Sequence, residues 1–560
     1  MLKGHPKGLI VAALANMGER FGYYTMLAIF LLFLQAKYGL DSTAATQIFG
    51  IFLAAVYFMP LLGGIIADRW LGYGKTISIG LIIMFIGYFL LAIPTTRESG
   101  LWSVIGALAV IALGTGFFKG NLQALVGNMY DDPKYSKNRD NAFNIFYMCI
   151  NVGAMFAPTA AEAVSNFFLK GDGFFYNASI PALAQKYLAG DMSVADRLGK
   201  LAVAQGADPS NLGAFANNYI VALGGAYHWA FAVACVSLLA SMAVFWGFRK
   251  YYKEADMTER QKAKSAEHKN SVVELTPEQT KNRLVALGLV FFVVIFFWMA
   301  FHQNGATMTI FARDYTVDSV DRLTNIWFDL FGLLPIFFAA VGAYFIVRKE
   351  STTNTRLIGV AVLVGFAILA YFRISSYGAM NPFTPQKFQH FNPFFIVALT
   401  PIVVAMFSWM NKKGIEPSAP RKIGFGMLIG GLAFIILVVG SFSLVGVSPK
   451  EINELRAPTE SLVSPYWLIS TYFILTIAEL FLSPMGISFV SKVAPPKYKG
   501  LMQGGWFAAT AIGNYGVAVV ALGWNKMPLW MFWMILVTAG LLSFVFIFSV
   551  MKRLETAAKS

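Results

Sequence analysis

The sequence predicts an all-α polytopic membrane protein, and three observations carry that prediction. Of 560 residues, 57% are hydrophobic and only 13% are charged, with a mean hydropathy of +0.60, a balance no soluble domain carries. Crossing about 30 Å of hydrocarbon takes roughly 20 apolar residues, and the chain offers about fourteen such segments. Lysines and arginines gather in short loops on alternate sides of those segments, as the positive-inside rule expects. The formal net charge of +15 therefore belongs to loops at a lipid bilayer surface rather than to a nucleic-acid site. Only Cys149 and Cys235 occur, both within apolar segments, where they read as small core residues and not as a disulfide framework.

Six spans fill the first half, at about 8–36, 44–67, 76–94, 101–129, 141–167 and 217–247. The basic start, Met1 to Lys7, resembles a signal n-region. The apolar run that follows holds Glu19 and Arg20 and has no small-residue cleavage site, so it reads as a retained first span. Between spans five and six, the alanine-rich stretch around 180–204 suits amphipathic helices outside the membrane. Residues 249–283 are strongly charged and lysine-rich, and read as a cytoplasmic linker between an N-terminal bundle, 1–248, and a C-terminal one, 284–560. In the second half a span at 284–311 precedes two more at about 325–347 and 357–372, with basic loops later at 411–422 and 491–500. With an even number of spans, both termini fall on the cytoplasmic side.

Charges inside the spans are the candidates for function. A charged side chain at the bilayer centre costs about 2.5–3.5 kcal/mol on the mildest scale, so it must meet a partner or a water-filled cavity. Asn16, Glu19, Arg20, Tyr23, Tyr24 and Leu27 share one face of the first span by their helical spacing. Two readings stand for Glu19 and Arg20: a self-neutralising ion pair, or one wall of a polar substrate cavity. Lys119 in the fourth span and Glu479 near the end of the chain are two further intramembrane charges, one in each half. A contact between them would open and close as two bundles rock. It would act either as a gate or as a structural staple. The turn after span two, with Gly63, Gly64, Asp68, Arg69, Gly72 and Lys75, combines close-packing glycines with charges able to pair at a helix end. No cluster of metal ligands and no nucleophile with a base stands out, so neither a metal, a cofactor nor an enzymatic reaction is expected.

Several stretches taken together resemble the proton-dependent oligopeptide transporter family of the major facilitator superfamily. The turn 63–75 resembles the superfamily's loop between helices two and three. The segment 143–155, with Asn151, resembles the family's helix-five signature; 114–121, with Lys119, its helix-four lysine segment; and 478–486, with Glu479 and Ser483, its helix-ten segment. Stretches 388–393, with Asn392, and 504–506, with Trp506, resemble its entries to helices eight and eleven. The resemblance implies two six-helix bundles with an inserted transmembrane hairpin at about 325–373. It also implies uptake of di- or tripeptides with protons across the cell inner membrane, by a protein that works as a monomer. For a zwitterionic peptide it assigns Arg20 and Lys119 to the carboxylate and Glu479 to the amine. Tyr23, Tyr24, Tyr57 and Trp506 become walls, while Asn151, Asn392 and Ser483 meet the peptide backbone.

Departures from the family pattern bear on coupling. Asn16 stands where the family has a glutamate, Leu27 where bacterial members commonly carry a second arginine, and His302 where an acid precedes glutamine. In the family the last two positions pair across the extracellular side, so both ends of that bridge are missing together, which avoids stranding one charge. Proton coupling would then pass through Glu19, Glu479 or His302, whose imidazole titrates near neutrality, with Arg20 and Lys119 tuning it. His302 reads alternatively as a neutral residue near the outer mouth. Two other functions share these features: transport of another small amphoteric or anionic solute, and a non-transporting peptide sensor.

Overall fold

The computed structural model describes residues 4–96, 100–257, 275–495 and 498–559. Its helices follow the apolar runs. The first bundle contains α1 (Lys7–Tyr38), α2 (Ser42–Ile66), α3 (Tyr73–Ala92), α4 (Gly100–Asn128), α5 (Arg139–Gly171) and α8 (Leu212–Gly247). Between α5 and α8 lie the short helices α6 (Ile180–Leu188) and α7 (Ala195–Ala204), as the alanine-rich pattern predicts. Their apolar sides bury Leu183 and Leu198 while their polar sides stay out.

The second bundle opens with α9 (Pro277–Phe301), whose start is fixed by a capping box between Thr276 and Gln279. The single span expected at 284–311 is in fact broken. A tight turn over His302–Gly305 ends α9, and a separate α10 (Thr307–Asp314) continues to the membrane surface. Then come α11 (Leu330–Val347) and α12 (Thr353–Ser375), α13 (Phe391–Lys412), α14 (Ala419–Gly440), α15 (Tyr466–Val493), α16 (Lys499–Ala521) and α17 (Leu529–Ser549). Among the described residues, 13 helical segments are long and apolar enough to cross a membrane. In addition, α16 packs lengthwise between α2 and α9, bringing the membrane helices to the number the sequence suggests. The hairpin α11–α12 folds on itself through Gly342 and Gly359, and most of α12 faces outward. A two-stranded ribbon, Ser319–Asp321 against Met380–Pro382, ties its outer base together with Val320 opposite Asn381.

α1 packs against α5 and α8, and α14 packs against α15 and α17, so each bundle has its own helix contacts. The bundles meet mainly through α2 with α16 and α5 with α13. The N-terminus marks the near face of the molecule. The far face carries the ends of α1, α5 and α10.

At the near face the turn 63–75 is built differently from the expected charge pairing. Residues Ala67–Leu71 form one wide helical turn, and Gly72, at φ +81°, redirects the chain into α3. Asp68 accepts a hydrogen bond from Tyr73 at 2.7 Å, not from Arg69 or Lys75. The acid at the start of α3 is instead Asp256, from the beginning of the linker, which accepts from the Gly74 amide at 2.8 Å. A carboxylate at a helix N-terminus satisfies a free N–H and the positive end of the dipole, which explains why it displaces a surface ion pair. Residues 258–274 of the linker, 249–283, lie outside the described residues.

Gly63 is required by close approach: a Cβ there would lie 2.1 Å from the Gly116 carbonyl oxygen of α4, whereas one on Gly64 meets nothing within 4 Å. Gly63→Ala should therefore lower stability by about 1–3 kcal/mol. Gly64→Ala should leave it unchanged, and unfolding midpoints of the two purified variants compare them directly.

Candidate functional site

The interior site is assembled from α1, α2, α4 and α5 on one side and α9, α13, α15 and α16 on the other. On α1, Glu19 is fully buried and the adjacent Arg20 grips both of its carboxylate oxygens. The guanidinium also faces the Tyr23 ring, 4.7 Å from its centroid, and Tyr23 and Tyr24 meet edge to face at 5.2 Å. Of the two readings left open for Glu19 and Arg20, the ion pair is formed. It cancels its own charge within one helix turn, and Asn16 sits buried on the same face with its amide nitrogen unpartnered.

Lys119 has no ion pair among the described residues. Its ammonium lies 3.6 Å from the centroid of the Tyr57 ring and 5.9 Å from that of Phe507, a placement that uses the negative face of the aromatic quadrupole. His302 does not sit at the outer mouth. The turn that ends α9 stacks its imidazole on Trp298, with centroids 5.1 Å apart, and brings it 5.8 Å from Tyr57, on the same ring that carries Lys119.

Glu479, midway along α15, is buried and accepts hydrogen bonds from Asn392 Nδ2 at 2.9 Å and Tyr147 Oη at 3.1 Å. Tyr147 belongs to α5, so the carboxylate is held by the opposite bundle through a neutral donor. The expected contact of Lys119 with Glu479 is not made in this conformation. Each group has a neutral partner instead, and the two charges remain available on facing bundles.

The remaining predicted residues are placed as follows. Asn392 also bonds Thr476 Oγ1 at 3.1 Å, and Asn151 bonds the Tyr147 carbonyl within its own helix at 2.9 Å, so both amide donors are engaged inside the protein. Ser483 Oγ is buried without a partner. Trp506 packs its ring onto Gly486, where a Cβ would lie 2.0 Å from the indole, and it is a buried strut between α15 and α16 more than a wall. Sequence reasoning missed Tyr147, although it lies one turn before Asn151 on the same helix face.

Outward of this site the bundles are joined by hydrogen bonds on the far side. Gln35 accepts from Arg313 at 2.7 Å, Glu454 accepts from Ser42 Oγ at 2.6 Å, and Gln389 reaches the Ala28 carbonyl at 3.2 Å. The hydrogen bond from Tyr147 to Glu479 joins them as well.

The model of the POT family matches residues 74–184 and 379–532, which contain Lys119, Tyr147, Asn151, Asn392 and Glu479. The match is to the POT family over those two stretches. The chain is 28% identical over 553 residues to the uncharacterized transporter YclF of Bacillus subtilis, covering 97% of this chain and 92% of that protein. It is 28% identical over 520 residues to the di-/tripeptide transporter of Lactococcus lactis subsp. cremoris, covering 90% and 87%. Among solved structures, a POT family transporter in complex with 5-aminolevulinic acid superposes with a TM-score of 0.67 at 19% identity, covering 99% of this chain and 98% of the other. That superposition shows the shared fold. Both named relatives are transporters, and the Lactococcus one is a transporter of di- and tripeptides.

The placement of Lys119 on Tyr57 makes a prediction within the site. Tyr57→Phe keeps the ring face and should leave thermal stability close to wild type. Tyr57→Leu removes it and should cost about 0.5–2 kcal/mol, read from unfolding midpoints in detergent.

Proposed function

We propose that this protein is a secondary active transporter that takes up di- and tripeptides by alternating access. The observation that carries the proposal is the separation of unpaired charges: among the described residues Lys119 in the first bundle and Glu479 in the second have no counter-ion, while Glu19 and Arg20 neutralise each other. A zwitterionic peptide supplies both missing partners. Its carboxylate goes to Lys119, and its amine to Glu479 in place of the Tyr147 and Asn392 donors. Binding then draws two separate bundles together, which is what converts recognition into a conformational step. Tyr23, Tyr24 and Tyr57 offer faces that tolerate varied side chains.

The near face is the cytoplasmic one in this reading. Lys7, Lys75, Arg249, Arg283, Lys412 and Lys492 lie at that end of their helices, which supports a reading with both termini on the cytoplasmic side of a bacterial inner membrane. The units that move are 1–248 and 284–560, joined by the linker 249–283, with a monomer as the working form. Proton coupling runs through Glu479 or His302, because Glu19 is committed to Arg20 and Asn16 cannot carry a proton.

Labelled dialanine offered to vesicles of purified protein tests this reading. Accumulation that depends on an inward proton gradient is the expected result, and Glu479→Gln should abolish it through loss of amine recognition. Absence of both accumulation and exchange of dialanine with the wild-type protein would contradict the proposal. Normal accumulation by the Glu479→Gln variant would remove the role given to that carboxylate.

A further inference from the structure

The two positions of the missing family bridge, Leu27 and His302, cannot hold the far face shut by charge. Leu27 is buried, and His302 is stacked on Trp298 deep in the site. The far face is nevertheless closed. Glu162, inside the apolar run of α5, and Lys387, in the tight turn Pro385–His390 before α13, approach to 2.9 Å between Oε2 and Nζ. Their side chains retain only 11% and 15% of their exposure. The other carboxylate oxygen, Oε1, accepts a hydrogen bond from Thr384 Oγ1 at 2.7 Å, so both oxygens are held from the second bundle. Among the described residues this is the one ion pair that joins the two bundles.

We propose that Glu162 and Lys387, with Thr384, are the latch of the far gate in this protein, in place of the bridge it lacks. A pair whose members sit on different bundles stabilises only the states in which those surfaces touch. Removing one member leaves the other buried and uncompensated when the gate is shut, whereas in an open gate water can reach it. The closed state alone is penalised, and the population moves toward opening. The hydrogen bonds of Gln35 with Arg313 and Ser42 with Glu454 close the same face but pair a neutral group with a charged one, so truncating their neutral side strands less. Alternating access gives the latch its purpose, and in that respect the inference rests on the transport reading.

Distances between spin labels test it without any cargo. Labels at Asp172→Cys and Leu323→Cys, both exposed at the far face on opposite bundles, are introduced with Cys149→Ala and Cys235→Ala in the full chain in lipid nanodiscs. The unsubstituted latch should give a predominantly short distance. Glu162→Gln and Lys387→Gln, each nearly matched in volume or reach, should each raise the long-distance population several-fold. A distribution unchanged from the parent in either variant overturns the latch. Because no peptide is present, failure of dialanine uptake would count against the transport reading and leave this result standing.

Discussion

A carboxylate held among apolar helices needs a donor or a counter-ion, and in this protein the whole interior is arranged around how each buried charge meets that need. Glu19 is answered by the residue next to it, Arg20, so α1 carries a polar stripe with no net charge. Glu479 is answered by two neutral donors, one of them from the other bundle. Lys119 is answered by a ring face. Neutral answers stabilise a charge less than an ion pair does and give way more readily to a stronger partner. The groups answered in this way are therefore the ones a charged ligand can recruit.

The same need explains the shape of the gate. On the far side the bundles are bound through Glu162 with Lys387 and Thr384, Gln35 with Arg313, and Ser42 with Glu454. Toward the near face, α2 still packs on α16, with Leu61 lying against Gly504. On the other side of the site Tyr147 bonds Glu479 across the bundles. The break at His302–Gly305 also lies at this level, between α9 and α10.

The spans are legible in the sequence because hydrocarbon thickness imposes a length and an apolarity that few other constraints mimic. The intramembrane residues Glu19, Arg20, Lys119 and Glu479 are legible for the complementary reason, as exceptions to that apolarity. Partner choice is not legible. Nothing local says that Glu479 bonds Tyr147 and Asn392 in preference to Lys119, because that depends on how far two bundles have rocked. Glu162 stands in the apolar run of the fifth span, yet sequence reasoning misses its role, since its partner Lys387 lies 225 positions away in a turn with no motif of its own. The break after Phe301 is hidden for another reason: Gln303, Asn304 and Gly305 interrupt the apolar run too briefly to end a span by hydropathy alone.

The central claim is that separate poles on facing bundles read the two ends of a peptide. Calorimetric binding of dialanine compared with its N-acetylated and C-amidated forms tests it most directly. Binding of the free dipeptide, with about a tenfold or greater loss for each blocked form, is the result expected from losing one charge-assisted contact. Equal affinity for the acetylated and the free dipeptide would show that Glu479 does not hold the amine and would contradict the claim.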